Sequence, residues 1–83
     1  MIKQIWKYKL TSPIEMPLDA KILTIQMQGN EPHIWALVDP KNETEKRKFV
    51  IIGTGHSFDD NTFKYVNTYQ EGPFVWHVFE DVK

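Results

Sequence analysis

The chain has 83 residues, no cysteine and a formal charge of −1. That length fits one domain, residues 1–83, small enough to be marginal unless its apolar side chains pack well or a second chain joins it. The composition excludes disulfide and thiolate–zinc staples and cysteine nucleophiles. The charge gives no strong nucleic-acid signal, and no stretch reaches the roughly 18 apolar residues of a membrane span.

Residues 2–10 read as the first strand: Trp6, Tyr8 and Leu10 share one face, Lys7 and Lys9 the other, the period of two of a half-buried strand. The opening residues lack an apolar signal-peptide core, so the expected location is the cytoplasm. Thr11-Ser12-Pro13 breaks the strand, and Ile14-Glu15-Met16 is a short extended piece closed by Pro17, which cannot donate to a ladder. Residues 20–28 form the next strand, with Leu23, Ile25 and Met27 alternating with Thr24, Gln26 and Gln28. Gly29-Asn30-Glu31-Pro32 supplies turn chemistry before a strand over residues 33–38, so this pair reads as a hairpin. Its Ile34, Ala36 and Val38 oppose Trp35 and Leu37; two apolar faces predict a central or doubly covered strand.

Residues 39–45 are a solvated loop. Residues 46–53 follow as a strand with Phe49 and Ile51 opposite Val50 and Ile52. Residues 53–62 are the longest irregular stretch, with room for one helical turn over 57–63 capped by Ser57. Residues 63–70 place Tyr65, Asn67 and Tyr69 on one side and Val66 and Thr68 on the other. Glu71-Gly72-Pro73 turns the chain into a last strand over residues 74–80, where Val75, His77 and Phe79 oppose Phe74, Trp76 and Val78. The whole predicts an all-β domain, a small antiparallel sandwich or barrel of five to seven short strands paired mainly in sequence order.

One corner, Gly53-Thr54-Gly55-His56, combines backbone freedom, a hydroxyl and a titratable ring. Two glycines allow N–H groups to converge on an anion; the same residues also make an ordinary wide turn. It is not a phosphate-binding P-loop, because no Gly-Lys-Ser/Thr and no helix follow. Arg47, in the Lys46-Arg47-Lys48 cluster, is a candidate source of charge, although it sits at the other end of the same strand. Trp6, Trp35 and Trp76 fall on three strands; their plainest reading is one shared core cluster. The alternative is that Trp6 and Tyr8, interleaved with lysines, stack a base or a partner's side chain. His33, His56 and His77 have no metal-ligand spacing, and Asp59-Asp60 lacks the calcium-loop register. Ser57, His56 and Asp59 are too close in one loop for triad geometry. The expectation is a binding protein rather than an enzyme, with no cofactor and no metal.

Several segments in order resemble a small domain of unknown function common in bacteriophage and some bacterial genomes. They are Ile5-Trp6-Lys7-Tyr8, Met16-Pro17, Ala20-Lys21-Ile22-Leu23, the run 34–40 (IWALVDP), Gly53-Thr54-Gly55-His56 and Val75-Trp76-His77-Val78-Phe79-Glu80. The chain departs from that pattern at Leu18-Asp19, where a nearby glycine is expected. The resemblance implies a phage-type setting: a non-catalytic protein in the host bacterial cytoplasm, counteracting a host defence component or sequestering a nucleotide-like signal. Ligand contacts are then expected at Gly53, Thr54, Gly55, His56, Trp6, Tyr8 and Arg47, in a homo-oligomer. The rival expectation is a structural or protein-interaction module that forms a symmetric oligomer without a small ligand.

Overall fold

A computed structural model describes residues 2–83; Met1, which opens the expected domain, lies outside the described residues. Seven strands form: β1 (Gln4–Lys9), β2 (Ile14–Pro17), β3 (Lys21–Gln28), β4 (Glu31–Val38), β5 (Thr44–Gly53), β6 (Phe63–Glu71) and β7 (Phe74–Asp81). They make two antiparallel sheets, ordered β1-β4-β3 and β2-β5-β7-β6. The sheets do not close into a barrel, and β3 packs across onto β6, so the architecture is the sandwich. β4 is central, as its two apolar faces require.

Two hairpins follow from turn chemistry. Gly29 (φ 63°) and Gly72 (φ 55°) each take the first central position of a two-residue turn, which matches the twist of the flanking strands. The remaining pairings are not sequential, contrary to the sequence expectation: β1 lies beside β4, and β2 beside β5. Asp19 adopts φ 64° in the turn before β3. Glycine would hold that left-handed geometry without strain, and Asp is among the few side chains that tolerate it; a glycine was expected close to this turn.

Two bulges change which side chains reach the core. The register of β3 shifts between Ile22 and Thr24, so Ile22 and Ile25 face inward while Leu23 is 42% exposed. The expected grouping of Leu23 with Ile25 is therefore corrected. A second shift, between Tyr65 and Asn67 of β6, turns Val66 and Tyr69 inward and leaves Tyr65 and Thr68 on the outer face. One extra residue in a bulge swaps the faces of everything beyond it. The fully buried centre is Met16, Ile25, Ile34, Ala36, Val38 and Val78. Trp6 and Trp76 pack against it, whereas Trp35 lies on the opposite face of β4 beside His33, ring centroids 6.1 Å apart. The single tryptophan cluster does not form.

β5 and β6 both run antiparallel to β7, which lies between them. They are therefore parallel to each other, and residues 54–62 must recross the length of β7. Extended, those residues reach roughly 30 Å, about the length of β7, an eight-residue strand. No slack remains for a helical rise of about 1.5 Å per residue, and residues 57–63 contain no helix, correcting that expectation. The connection is a strap across the outer face. Phe58 anchors it on Phe79 at 4.8 Å between centroids, and Val82 N–H bonds Thr62 O at 2.9 Å.

Tyr8 projects inward, and its buried hydroxyl has no hydrogen-bond partner among the described residues. Burial pushes its ionisation above the usual tyrosine value. An unfolded Tyr8 loses its proton near pH 10 while the folded one keeps it, so this group's contribution to stability is present below about pH 10 and falls as pH rises past it. Tyr8→Phe removes the unsatisfied hydroxyl. The expected result is a gain of about 1 kcal/mol at pH 7 in denaturant melts and a shallower alkaline loss; a clear destabilisation would mean the hydroxyl has a partner.

Candidate functional site

The Gly53–His56 corner closes β5. Gly55 takes φ 88° and His56 N–H bonds Gly53 O at 3.0 Å, a turn with positive φ at its third residue, where glycine is preferred. Gly53 serves a different need. It is buried beside its cross-strand partner Trp76 on the adjacent strand β7, and a β-carbon there would lie 3.0 Å from the His56 ring and 3.2 Å from Trp76 Cζ3. Only a residue without a side chain lets both rings close over the backbone.

Thr54 ties the corner to the outer face of the sheet. Its Oγ1 lies 2.8 Å from His77 Nε2 and 3.3 Å from Val75 O. His77 Nδ1 lies 3.0 Å from Thr68 Oγ1, which is 2.7 Å from Tyr65 OH. One assignment of protons satisfies every link: Tyr65 donates to Thr68, Thr68 to His77 Nδ1, His77 Nε2–H to Thr54, and Thr54 to the Val75 carbonyl. In that arrangement the imidazole donates to the hydroxyl instead of withdrawing its proton, and a hydroxyl occupies the place where a triad carries a carboxylate. The geometry fixes four side chains in line.

Beside the corner, apolar surface is open. Phe74 stacks on Trp76 with centroids 5.8 Å apart and is 58% exposed; Ile51, although on the inward parity of β5, is 44% exposed. β2 pairs with β5 only through Arg47. Past that point Phe49 N–H, which faces the vacated side, is capped by Ser12 Oγ at 2.9 Å. By the alternation of an antiparallel strand, the Ile51 N–H and C=O point the same way, and no backbone partner meets them among the described residues. Past Arg47 the β2 side of β5 carries no paired strand among the described residues, and Phe74 and Trp76 lie on β7, its neighbour on the other side.

The structure does not bring the expected contact residues together. Gly53, Thr54, Gly55 and His56 share the corner, but Trp6 and Tyr8 face inward on the other sheet. Arg47 stands about 20 Å along β5 from Gly53. Its Nε and Nη2 donate to Glu80 Oε2 and Oε1 at 2.6 and 2.8 Å, and its Nη1 to Ala20 O at 2.6 Å. The Glu80 carboxylate holds the guanidinium above its ordinary value against the opposing effect of burial. With its donors spent in this way, Arg47 fastens β5 to β7 and to the turn before β3.

Around that ion pair, the starts of β3, β5 and β6 and the end of β7 frame an open cleft of about 800 Å³. Lys21, Lys46, Lys48, Lys64 and Lys83 line it together with Asp19, Glu45 and Asp81. The sequence pointed to Lys46 and Lys48; Lys64 and Lys83 join them only through the β5-β7-β6 order, which no local pattern encodes. His77 was legible as a residue of the last strand, but its partners Thr54 and Thr68 were not. His33 sits on the far sheet with Nδ1 at 3.0 Å from Glu31 O, so the three histidines occupy separate places. No group of three or more metal-ligating side chains converges among the described residues.

The family model described as a domain of unknown function, DUF7352, matches residues 1–83, and the chain belongs to that family. No curated protein and no solved structure matches it.

Proposed function

We propose that this family member is a non-catalytic binding domain that takes up an extended segment of a protein partner along the open edge of β5, beside the Gly53–His56 corner. The observation that carries this reading is the vacated edge past Arg47, where the Ile51 backbone groups face outward and the Ile51 side chain is 44% exposed, with exposed Phe74 on the neighbouring strand β7. Strand addition would supply main-chain hydrogen bonds, and the apolar flank would supply side-chain anchors. Part of what supports a non-catalytic role is the corner itself: its His56 N–H is spent on Gly53 O, and in the proton arrangement that satisfies every link the Thr54 hydroxyl accepts from His77 and donates to the Val75 carbonyl.

In the bacteriophage setting that the sequence resemblance implies, the partner is a host defence component met in the bacterial cytoplasm, and the domain acts by occupying it. An anionic ligand fits the corner less well, because no lysine or arginine stands in it and Asp59-Asp60 follow on the strap. A second reading uses the same edge: two copies pair β5 with β5 about a twofold axis.

The test compares the tagged wild-type domain with an Ile51→Lys/Phe74→Ser variant, both purified from bacterial host cells. The expected result is a protein enriched at least tenfold by the wild type and lost with the variant, and an Ile51 amide protected from hydrogen exchange in the complex. No enriched protein, or one retained by the variant with Ile51 unprotected, would sink the reading. A dimer by light scattering that the variant dissociates, with no other protein present, would establish the twofold reading in its place.

A further inference from the structure

The near-zero total charge hides an uneven placement. The strands of the β1-β4-β3 sheet carry three lysines, Lys7, Lys9 and Lys21, against one acid, Glu31. Lys7 stands opposite Trp35, Lys9 opposite His33 and Lys21 opposite Leu37. Those β4 residues alternate with buried Ile34, Ala36 and Val38, so the lysines lie on the outer face. Glu31 shares that parity and pairs with Lys9 at 3.1 Å. The face therefore holds two surplus positive charges in a chain whose formal charge is −1. Every connection between strands that involves this sheet either closes the β3–β4 hairpin or runs to the other sheet. Among the described residues none is routed across the face.

From this arrangement we infer that the outer face of the β1-β4-β3 sheet binds single-stranded nucleic acid, with Trp35 stacking a base and the lysines meeting phosphates. Trp35 and His33 stand two residues apart on the central strand, both partly exposed, with centroids 6.1 Å apart and planes tilted by 51°. Successive bases of an extended strand would each meet a ring. Lys7 Nζ donates to Gln28 Oε1 at 2.5 Å. Lys7 is on β1 and Gln28 on β3, so the bond spans β4 and holds an ammonium over the middle of the face. Thr24 and Gln26, beside the rings on β3, offer polar groups to base edges. Unpaired bases can splay onto such a platform, whereas a duplex keeps its bases stacked on one another. A second copy of the face would set lysine against lysine, which disfavours self-association here. The indole is set within the sheet, where a flat base can lie on it but a lipid chain cannot surround it. The face belongs to the sheet that lacks β5, and the inference does not depend on the protein-binding reading.

Fluorescence anisotropy with labelled thymidine and uridine oligonucleotides of about ten nucleotides tests this. Binding of either supports the site, with affinity falling as salt rises. A duplex of the same length should bind at least about fivefold more weakly, because its bases cannot reach the rings. A Lys7→Gln/Lys21→Gln variant, altered only at exposed positions, should melt as the wild type does. It should cut the slope of log affinity against log salt by about 1.4, the loss of two phosphate contacts on a single strand. Trp35→Leu keeps an apolar side chain on the sheet and removes the π-face. It should weaken binding at least about fivefold and leave that slope unchanged, a split that loss of structure would not produce. Phe74→Ser, on the other sheet, should change neither. No binding, a duplex bound as tightly, affinity retained in both variants, or capture by phosphatidylserine vesicles in place of the oligonucleotides overturns it.

Discussion

Replacing Glu80 with alanine should lower the stability of the domain by about 3 kcal/mol. The Arg47 and Glu80 side chains are only 16% and 12% exposed, so water cannot readily take over the role of the lost partner. The guanidinium would keep one bond to the Ala20 carbonyl and leave two donors facing an emptied, half-dry site. A chain of this size is expected to have roughly 4–12 kcal/mol in total, so the change removes a large share of it. An Arg47→Met/Glu80→Leu double variant should recover most of the loss, because an apolar pair of similar volume carries no desolvation penalty. Denaturant midpoints measure both. A Glu80→Ala cost below about 1 kcal/mol would mean that the pair behaves like a screened surface bridge and does not hold the cleft walls.

That ion pair shows where reading the chain succeeds and where it stops. Period-two alternation in 34–38, 49–52 and 74–79 gave the correct faces, because side-chain direction in a strand is a local property. Gly29-Asn30 and Gly72-Pro73 announced their turns for the same reason. Arg47 and Glu80 are separated by two strand connections, and their meeting depends on β7 inserting between β5 and β6. Nothing in residues 46–48 or 75–80 encodes that order. The strap at 54–62 looked like an irregular loop because its course is set by the distance it must span. Likewise the Gly53–His56 corner was legible as a turn, whereas its attachment to His77 and Thr68 arises from the register between strands. Lysines 21, 46, 48 and 64 come from three strands and Lys83 from the residues after β7, and they share no periodicity.

The bulge in β3 yields the sharpest contrast. By alternation alone Leu23 and Ile25 are equivalent, two aliphatic residues on one face. The shift between Ile22 and Thr24 separates them: Ile25 is 1% exposed and Leu23 is 42% exposed. Ile25→Ala removes three carbons from a packed interior and should cost about 3 kcal/mol, the lost transfer energy plus that of the cavity left behind. Leu23→Ala, with much of its side chain already in water, should cost less than about 1 kcal/mol. Equal costs in thermal or denaturant melts would place both side chains in the core and remove the bulge. That outcome would reach further than two residues, because β3 frames one wall of the lysine cleft through Lys21 and Ile22. Without the extra residue at Leu23, that end of the strand would turn its alternate face to β6, and Lys21 would exchange places with Ile22 at the cleft.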